Sequence, residues 1–370
     1  MKSFLRPFTF FLVIAACTPK EKATPALADE LDAHFSGQYP KNEPGAAVLI
    51  LKGDSVVFSK GYGVADLKTQ EAITPKTLFN LGSISKTFVA SAILILQEQG
   101  KLSVEDSLFK YFPAFKNKSI AQRVKIKHLL THTSGLGDNR RVGSDTVFYL
   151  TARDVENWYP ETQLDSLSFE PGAQFEYSNP AFNGLALIVE QVSGMPWQTF
   201  VKENIFNPAG MTTSTITNGA HPEQGVSHAY VLNHGQWTED DYGEEPTFPA
   251  AGNGGVWSSV EEMALYEQAF RAAKFLKPET IREARTIKTY PHWKSAEKPF
   301  IGWPWFIANN DSITLVGHPG SQGGFLTNYV SIPEKKILFV ILCNAPREDY
   351  EMKETTAYVL RQLKARNWLD

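Results

Sequence analysis

Ser83 and Lys86 are spaced so that a lysine amine can activate a serine hydroxyl. Residues three apart share one face of a helix, so Lys86 Nζ can reach Ser83 Oγ. A serine hydroxyl is a weak nucleophile until a neighbouring base removes its proton, and the pair therefore predicts nucleophilic catalysis. In the structural alternative, Ser83 caps a helix and Lys86 extends its amine to solvent. The spacing alone leaves both interpretations open.

The Ser-x-x-Lys pattern occurs three times in the chain, and its context differs between the copies. The copies that begin at Ser107 and Ser295 lie close to prolines, the second in a polar loop. The copy at Ser83 opens an apolar stretch, residues 83–99, without Pro or Gly, which predicts a buried helix. There the Ser83 N–H would lie at the positive end of the helix dipole, and burial would lower the pKa of Lys86.

Tyr177 and Asn179 form the only Tyr-x-Asn of the chain, between Pro-Gly at residues 171–172 and Pro180. These neighbours predict a loop before a helix at residues 183–192. A phenol beside a lysine ammonium can lose its proton below its usual pH and act as a general base. A buried tyrosine that bonds to backbone is the commoner alternative.

A glycine-rich segment, residues 317–324, lies between two predicted strands and contains His318, Gly320 and Ser321. Glycines let the backbone approach a ligand closely, so N–H groups there could help to form an oxyanion hole. His318 could carry a proton or bind a carboxylate as a cation. The alternative is a glycine-rich turn with an incidental histidine.

Other chemistries have weaker support. The chain has no Gly-x-Ser-x-Gly elbow and no His-Glu-x-x-His motif. His128 and His132 have the spacing that could seat zinc on a helix, but no third ligand lies nearby in the sequence. No metal or other cofactor is therefore expected.

The N-terminus reads as an export signal. Residues 8–16 form an apolar stretch behind Lys2 and Arg6, and it ends in small residues directly before Cys17. This end resembles a bacterial lipobox, which predicts a signal peptide at residues 1–17, lipidation of Cys17 and a tether at residues 18–27. A plain secretion signal with a chance cysteine is the alternative. We expect a soluble body in the bacterial cell envelope that contacts the membrane only through this lipid anchor.

Composition and pattern indicate the fold class. The chain has 370 residues, a net charge of −4 and a pI near 6.1, which does not indicate a nucleic-acid partner. Predicted strands lie at both ends of the chain, at residues 46–51, 55–59, 300–308, 312–317, 324–332 and 336–343. Predicted helices include residues 260–272 and 350–367. We therefore expect an α/β (α+β) sheet domain from residues 28–100 and 251–370, with residues 101–250 mainly helical.

Two smaller expectations concern buried side chains. Cys343 lies in an apolar run and is expected to be a small buried hydrophobe. The aromatic cluster at residues 303–306 could line an acyl pocket, but core packing is the favoured role.

The three motifs occur in the order found in β-lactamase-related serine hydrolases, and the chain resembles that superfamily from about residue 30 to 345. They are Ser83-Ile-Ser-Lys86, Tyr177-Ser-Asn179 and His318-Pro-Gly320. The superfamily includes class C β-lactamases, D-Ala-D-Ala carboxypeptidases and related esterases. The resemblance implies an antiparallel β-sheet flanked by helices, with an inserted helical domain and the site between them.

The resemblance also implies a role for each matching residue. Ser83 is the nucleophile, and Lys86 and Tyr177 share proton transfer. Asn179 orients the substrate amide or the lysine. The N–H groups of Ser83 and Ser321 form the oxyanion hole, and His318 and Gly320 take part in substrate binding.

The third motif departs from the class C pattern, which has Lys-Thr-Gly where this chain has His-Pro-Gly. The lost cation and hydroxyl would both contact a substrate carboxylate, with charge-assisted bonds of about 1.5–3 kcal/mol each. The departure argues against efficient β-lactam hydrolysis. Pro319 lacks an N–H, which fits an edge strand that faces the cleft.

Three functional hypotheses follow. The first is a serine hydrolase that cleaves a small ester, amide or peptide bond through an acyl-enzyme on Ser83. The second is a D-Ala-D-Ala carboxypeptidase or weak β-lactamase. The third is a catalytically silent binding protein of the envelope that keeps the cleft.

Overall fold

The computed structural model describes residues 26–141, 145–218, 221–240, 249–310, 313–345 and 349–370. The expected signal peptide, Cys17 and the tether up to residue 25 lie outside these residues. The helices are α1 (Leu27–Gln38), α2 (Ser85–Glu98), α3 (Lys118–Arg123), α4 (Ile126–Leu130), α5 (Thr146–Thr151), α6 (Asp154–Thr162), α7 (Asn179–Ser193), α8 (Trp197–Val201), α9 (Asn207–Ala209), α10 (Ala251–Gly254), α11 (Val260–Arg271), α12 (Pro278–Ala284) and α13 (Asp349–Lys364). The strands are β1 (Ala46–Lys52), β2 (Ser55–Tyr62), β3 (Val64–Asp66), β4 (Glu71–Ala72), β5 (Phe79–Asn80), β6 (Thr215–Ile216), β7 (Tyr230–Asn233), β8 (Gln236–Glu239), β9 (Val256–Ser258), β10 (Phe306–Asn310), β11 (Ile313–Gln322), β12 (Phe325–Ile332) and β13 (Ile337–Cys343).

The main sheet has six antiparallel strands in the order β10-β11-β12-β13-β1-β2. The first strand of the chain pairs with the last, from Ala46 opposite Cys343 to Lys52 opposite Ile337. The sheet is therefore assembled from both ends of the chain. This confirms the expected α/β class with an antiparallel sheet and flanking helices.

Both faces of the sheet are covered, because alternate residues of β1 belong to two separate apolar clusters. Ala47, Leu49 and Leu51 pack in the cluster that contains α2, α7 and α11. Ala46, Val48 and Ile50 pack in the cluster that contains α1 and α13. The period of two along the strand accounts for this division. Cys343 is buried in the second cluster, as its apolar surroundings predicted.

The expected buried helix is α2, preceded by a tight turn at Gly82–Ile84. Its side chains are buried from Ser85 to Leu96, and its polar hydroxyls bond back to the helix: Thr87 Oγ1 donates to the Ile84 carbonyl at 2.8 Å. Burial on all sides explains why no amphipathic pattern was visible in this stretch. Ser83 lies in the turn before the helix, not in its first turn.

Two predicted elements differ from the structure. The segment after Gly317 was placed between two predicted strands, with a glycine-rich turn as the alternative interpretation, but β11 continues to Gln322, because β12 supplies a ladder partner for each residue. The turn is only the pair at residues 323–324. The predicted strand at residues 300–308 is reduced to Phe306–Asn310, since Pro304 lacks the N–H that a strand ladder needs.

Helix α7 begins at Asn179, four residues before its predicted start. The side chain of Ser178 accepts a hydrogen bond from the N–H of Ala181, and Pro180 occupies the first turn, where its missing N–H carries no penalty. Among the described residues, no helix combines the length and apolar character needed to cross a membrane.

A buried ionic cluster joins α11 to the sheet and to the end of α12. Glu267 accepts hydrogen bonds from Arg285 at 2.7 Å and Arg271 at 3.2 Å. It also accepts from the Ser331 hydroxyl at 2.7 Å and from the Tyr329 hydroxyl. Burial would raise the pKa of Glu267, but the two arginines lower it to about 2. The carboxylate is therefore charged and fully paired inside the protein.

Candidate active site

The turn that carries Ser83 packs directly against the edge of β11. Gly82 has a φ of +52°, and a Cβ at this position would lie 2.6 Å from the backbone nitrogen of Ser321. Its N–H donates to Asn80 Oδ1 at 2.8 Å. Only glycine fits this conformation and this approach, so the turn fixes Ser83 beside Ser321.

Lys86 is fully buried, and its amine makes three hydrogen-bond contacts. Nζ lies 3.0 Å from Ser83 Oγ, 2.9 Å from Asn179 Oδ1 and 2.8 Å from the carbonyl oxygen of Asn253. The last two partners can only accept. A neutral amine has two N–H donors and one lone pair, so donation to these two oxygens leaves the lone pair directed at Ser83 Oγ.

The surroundings of Lys86 favour this neutral amine. Burial lowers its pKa well below the usual lysine value, and the positive charge of Arg140 lowers it further. The negative charge of Asp138 opposes the shift. The direction agrees with the expectation from the sequence, and it suits Lys86 to accept a proton from Ser83.

Asp138 and Arg140 form a bidentate ion pair, and Asp138 contacts the site residue Asn179. Arg140 donates through two nitrogens to the two carboxylate oxygens of Asp138, each at 2.7 Å. Asp138 in turn accepts from Asn179 Nδ2 at 3.3 Å. This contact orients the Asn179 amide so that Oδ1 faces Lys86. Neither residue was predicted from the sequence, since both lie on a loop without a recognisable motif.

Tyr177 lies beside Ser83 and Lys86. Its hydroxyl hydrogen-bonds with the side chain of Ser83, and Lys86 Nζ lies 5.1 Å from its ring centroid. Burial raises the pKa of Tyr177, although the bond to Ser83 and the charge of Arg140 act against it. The expected loss of the phenol proton at lower pH was therefore wrong, because burial outweighs the cations nearby. Tyr177 is a neutral phenol in this site.

His132 forms the floor beneath Tyr177. The two rings stack with centroids 4.2 Å apart, and His132 Nδ1 accepts the N–H of Ser178 at 3.0 Å. These contacts hold the Tyr177-Ser178-Asn179 turn in place. His128 accepts the N–H of Lys125 at 3.1 Å at the start of α4. Among the described residues, no group of three or more His, Cys, Asp or Glu side chains is placed to hold a metal ion.

His318 is buried and uncharged. Burial lowers its pKa to about 3, and a proton on Lys86 would lower it further. Its Nδ1 lies 2.6 Å from the carbonyl oxygen of Pro319, which requires a proton on Nδ1. This buried ring, which donates to Pro319, does not support the interpretation of His318 as a carboxylate-binding cation.

Within the part of the chain that the structure describes, β11 has no strand partner beyond Gly317 on the side that β10 covers. This unpaired edge faces the Ser83 turn, and a Cβ at Gly320 would lie 2.1 Å from the Leu81 carbonyl oxygen. The edge therefore brings the backbone of Ser321 next to that of Ser83. Pro319 is exposed on the cleft side of the same edge, as its missing N–H predicted.

A chain of buried amides supports the Asn253 carbonyl from behind. Asp154 accepts from Asn183 Nδ2 at 2.6 Å and from the N–H of Gly252 at 2.8 Å. Asn183 Oδ1 then accepts from Asn253 Nδ2 at 3.0 Å. The chain joins α6, α7 and α10 behind Lys86. Sequence analysis could not find this support, because Lys86 bonds to a backbone carbonyl of Asn253.

The aromatic cluster at residues 303–306 is divided between core and cleft. Trp303 and Trp305 are buried in the main apolar cluster, which confirms the favoured core role. Phe306 is half-buried and lines the cleft beside Ser83 and Tyr177.

The charges around Lys86 predict how activity depends on pH. Only the free amine can accept the Ser83 proton, so the rate falls as pH falls through the Lys86 pKa. Arg140→Gln removes the charge that lowers this pKa and is expected to shift the acid limb to higher pH. Asp138→Asn is expected to shift it to lower pH. The pH dependence of labelling by a fluorophosphonate measures both shifts.

Arg123→Gln is the matched control, since Arg123 is exposed and pairs with Glu170 away from the site. Its acid limb should coincide with that of the wild type. If the acid limb lies at the same pH in all variants, the electrostatic account of Lys86 is contradicted. It is also contradicted if Arg140→Gln and Asp138→Asn shift the acid limb in the same direction.

Comparisons with known proteins agree with the fold. The Beta-lactamase family model matches residues 31–364. Penicillin-binding protein 4* of Bacillus subtilis (strain 168) is 26% identical over 328 residues, which cover 85% of this chain and 71% of that protein. Protein flp of Staphylococcus aureus (strain NCTC 8325 / PS 47) is 33% identical over 319 residues, which cover 82% of this chain but only 60% of flp.

A solved structure of similar sequence has the same fold. The octameric penicillin-binding protein homologue from Pyrococcus abyssi superposes with a TM-score of 0.75 at 26% identity, over 90% of this chain and 76% of that one. These matches are consistent with a serine hydrolase that acts through an acyl-enzyme. With the motif order, the antiparallel sheet and a family match over most of its length, the chain belongs to the Beta-lactamase family.

Proposed function

We propose that this protein hydrolyses small ester, amide or peptide bonds through an acyl-enzyme on Ser83. The observation that carries the proposal is the geometry of the Lys86 amine. Its two acceptor partners, Asn179 Oδ1 and the Asn253 carbonyl, leave its lone pair for Ser83 Oγ at 3.0 Å. This is the arrangement that a general base needs in order to activate a serine.

In the proposed acylation step, Lys86 Nζ takes the Ser83 proton as Oγ attacks the substrate carbonyl carbon. The N–H groups of Ser83 and Ser321 stabilise the negative charge that develops on the carbonyl oxygen. Tyr177, neutral and bonded to Ser83, passes the proton from Lys86 to the leaving group. The carbonyl–leaving-group bond breaks, and Lys86 is again neutral.

Deacylation repeats the proton path in reverse. A water molecule attacks the acyl carbonyl and loses a proton to Lys86 through the Tyr177 hydroxyl. The bond between the acyl group and Ser83 Oγ breaks, and Oγ regains its proton from Lys86. Because Tyr177 is a neutral phenol, it relays the proton in this step and does not act as a phenolate base.

The alternatives are less well supported. A D-Ala-D-Ala carboxypeptidase needs a cation for the terminal carboxylate of its substrate, and the neutral His318 does not provide one. Burying the Lys86 amine costs free energy of desolvation. A catalytically silent binding protein would gain nothing from an amine buried next to a serine hydroxyl. The hydrolase therefore remains the proposal.

Labelling by a fluorophosphonate, measured by intact mass, tests the proposal. We expect one adduct on the wild type and none on Ser83→Ala. Ser295→Ala is the matched control, since Ser295 begins a second Ser-x-x-Lys in an exposed loop, and its labelling should be unchanged. An unlabelled wild type, or a Ser83→Ala variant that labels normally, would refute the acyl-enzyme on Ser83.

We further propose that Cys17 carries a lipid and holds the protein in the bacterial cell envelope. The support is the small-residue sequence before Cys17 and the apolar stretch at residues 8–16. Expression of the full chain in bacteria, followed by membrane fractionation, tests it. The wild type should sediment with membranes and Cys17→Ser should not; equal distribution of the two would rule out the anchor.

A further inference from the structure

The cleft extends well beyond the nucleophile. A cavity of about 880 Å³ opens beside Ser83 and Tyr177, follows β10, β11 and β12, and reaches α13. Leu315, Val330 and Leu360 are among the apolar side chains that line its far part. This volume lies within the range of small-molecule sites and far exceeds the needs of an acetyl group.

The apolar lining begins at the reacting centre. The ring centroids of Phe306 and His318 are 5.1 Å apart, and those of His318 and Tyr177 are 6.5 Å apart. Phe300 stacks nearly parallel to Phe306, with centroids 6.1 Å apart, and Phe175 lies 4.8 Å from Phe300. Phe300 and Phe306 are half-buried and line the cleft, so a substrate there would meet an aromatic wall.

The same lining offers little for an anion. Apart from Tyr177, its ionisable side chains among the described residues are His318 and Lys353. His318 is neutral, and its Nδ1 proton is already donated to the Pro319 carbonyl. Lys353 is exposed on α13, where water competes for its charge. A carboxylate in this groove would therefore lose its hydration without a buried cation among the lining side chains in return.

We infer that this cleft selects a neutral ester that carries an apolar chain over a peptide that ends in a carboxylate. The inference rests on the proposed acyl-enzyme function and adds the substrate class to it. The chain would follow the aromatic wall from Ser83 toward α13. Each methylene that it buries should raise kcat/KM about fourfold until the groove is filled.

Hydrolysis of matched esters tests the inference. One series varies the acyl group of p-nitrophenyl esters from acetate to octanoate, and a second varies the alcohol of acetate esters from ethyl to octyl. We expect kcat/KM to rise at least about tenfold in one series. The p-nitrophenyl monoester of suberic acid, which ends in a carboxylate, should react more slowly than the octanoate.

A pair of variants on α13 locates the chain. Ala357 lines the groove, and Ala357→Trp should reduce the preference for the long ester over the short one at least about tenfold. Glu354→Trp places the same bulk on an exposed part of the helix and should leave that preference unchanged. The wild-type series do not depend on whether Ala357→Trp folds.

The outcomes separate this inference from the proposed function. Flat series on a protein that still labels with fluorophosphonate would overturn the substrate class alone. If the suberate monoester reacts faster than the octanoate and this preference disappears in Lys353→Ala, Lys353 binds a carboxylate. This result would also overturn the inferred substrate class. Failure of both labelling and ester turnover would overturn the proposed function and this inference together.

Discussion

Lys86→Met is expected to reduce the rate of Ser83 acylation about 10²–10⁴-fold, the usual contribution of a general base. Methionine fills nearly the same volume, so the loss reports the missing amine and not a cavity. The remaining groups, Tyr177 and the two backbone N–H donors, still bind the substrate. The single-turnover rate with a p-nitrophenyl ester measures the effect directly.

Lys110→Met is the matched control for this substitution. Lys110 closes another Ser-x-x-Lys pattern but is exposed and pairs with Asp106 at 2.8 Å. Its variant should acylate at the wild-type rate, and circular dichroism should show that both variants are folded. A Lys86→Met protein that keeps more than about a tenth of the rate would rule out Lys86 as the base.

Glu267→Gln should lower the free energy of unfolding by about 3–5 kcal/mol, the cost of breaking a buried ion pair. The substitution leaves Arg285 buried without its carboxylate partner, and it replaces one acceptor oxygen by a donor. Urea unfolding at pH 7 measures the change. Glu71→Gln, on an exposed strand, is the control and should lie within about 0.5 kcal/mol of the wild type.

The difference between Glu267→Gln and the wild type should also depend on pH. The pKa of Glu267 is about 2 in the folded protein and 4.5 for an unperturbed glutamate. Its stabilising contribution is therefore complete above pH 4.5 and declines as pH falls toward 2. Unfolding curves at pH 7 and pH 3 should show a smaller difference at pH 3. An equal or larger difference at pH 3 would contradict the charged, paired state of Glu267.

Much of the site was predictable because its parts are local in sequence. The Ser83–Lys86 contact follows from their spacing across the turn that leads into α2. Tyr177 and Asn179 are only two residues apart, so a motif that brings one of them to the site also brings the other. The structure brings all four together, with Lys86 bonded to both Ser83 and Asn179.

The groups that set the protonation states could not be predicted in the same way. The neutral His318 and the raised pKa of Tyr177 result from burial, which depends on the packing of distant segments. The Asp138–Arg140 pair acts through space from a loop. The Asn253 carbonyl belongs to the backbone, and any residue type could present it.

The fold was predictable where strands are apolar and long, and less so where glycine and proline occur. The pairing of β1 with β13 follows from two apolar runs at opposite ends of the chain. The segment after Gly317 has turn-forming residues, yet it is a strand because β12 lies beside it and pairs with it. Tertiary pairing outweighs local propensity there.

The most direct test of the account is to trap the acyl-enzyme itself. The protein is mixed with p-nitrophenyl acetate, quenched in acid within the first turnover, digested and sequenced by mass spectrometry. We predict an acetyl group on Ser83, formed by the wild type and absent from Lys86→Met on the same time scale. Acetylation of another residue, or continued turnover with Ser83 unmodified, would contradict the central role of Ser83 and Lys86.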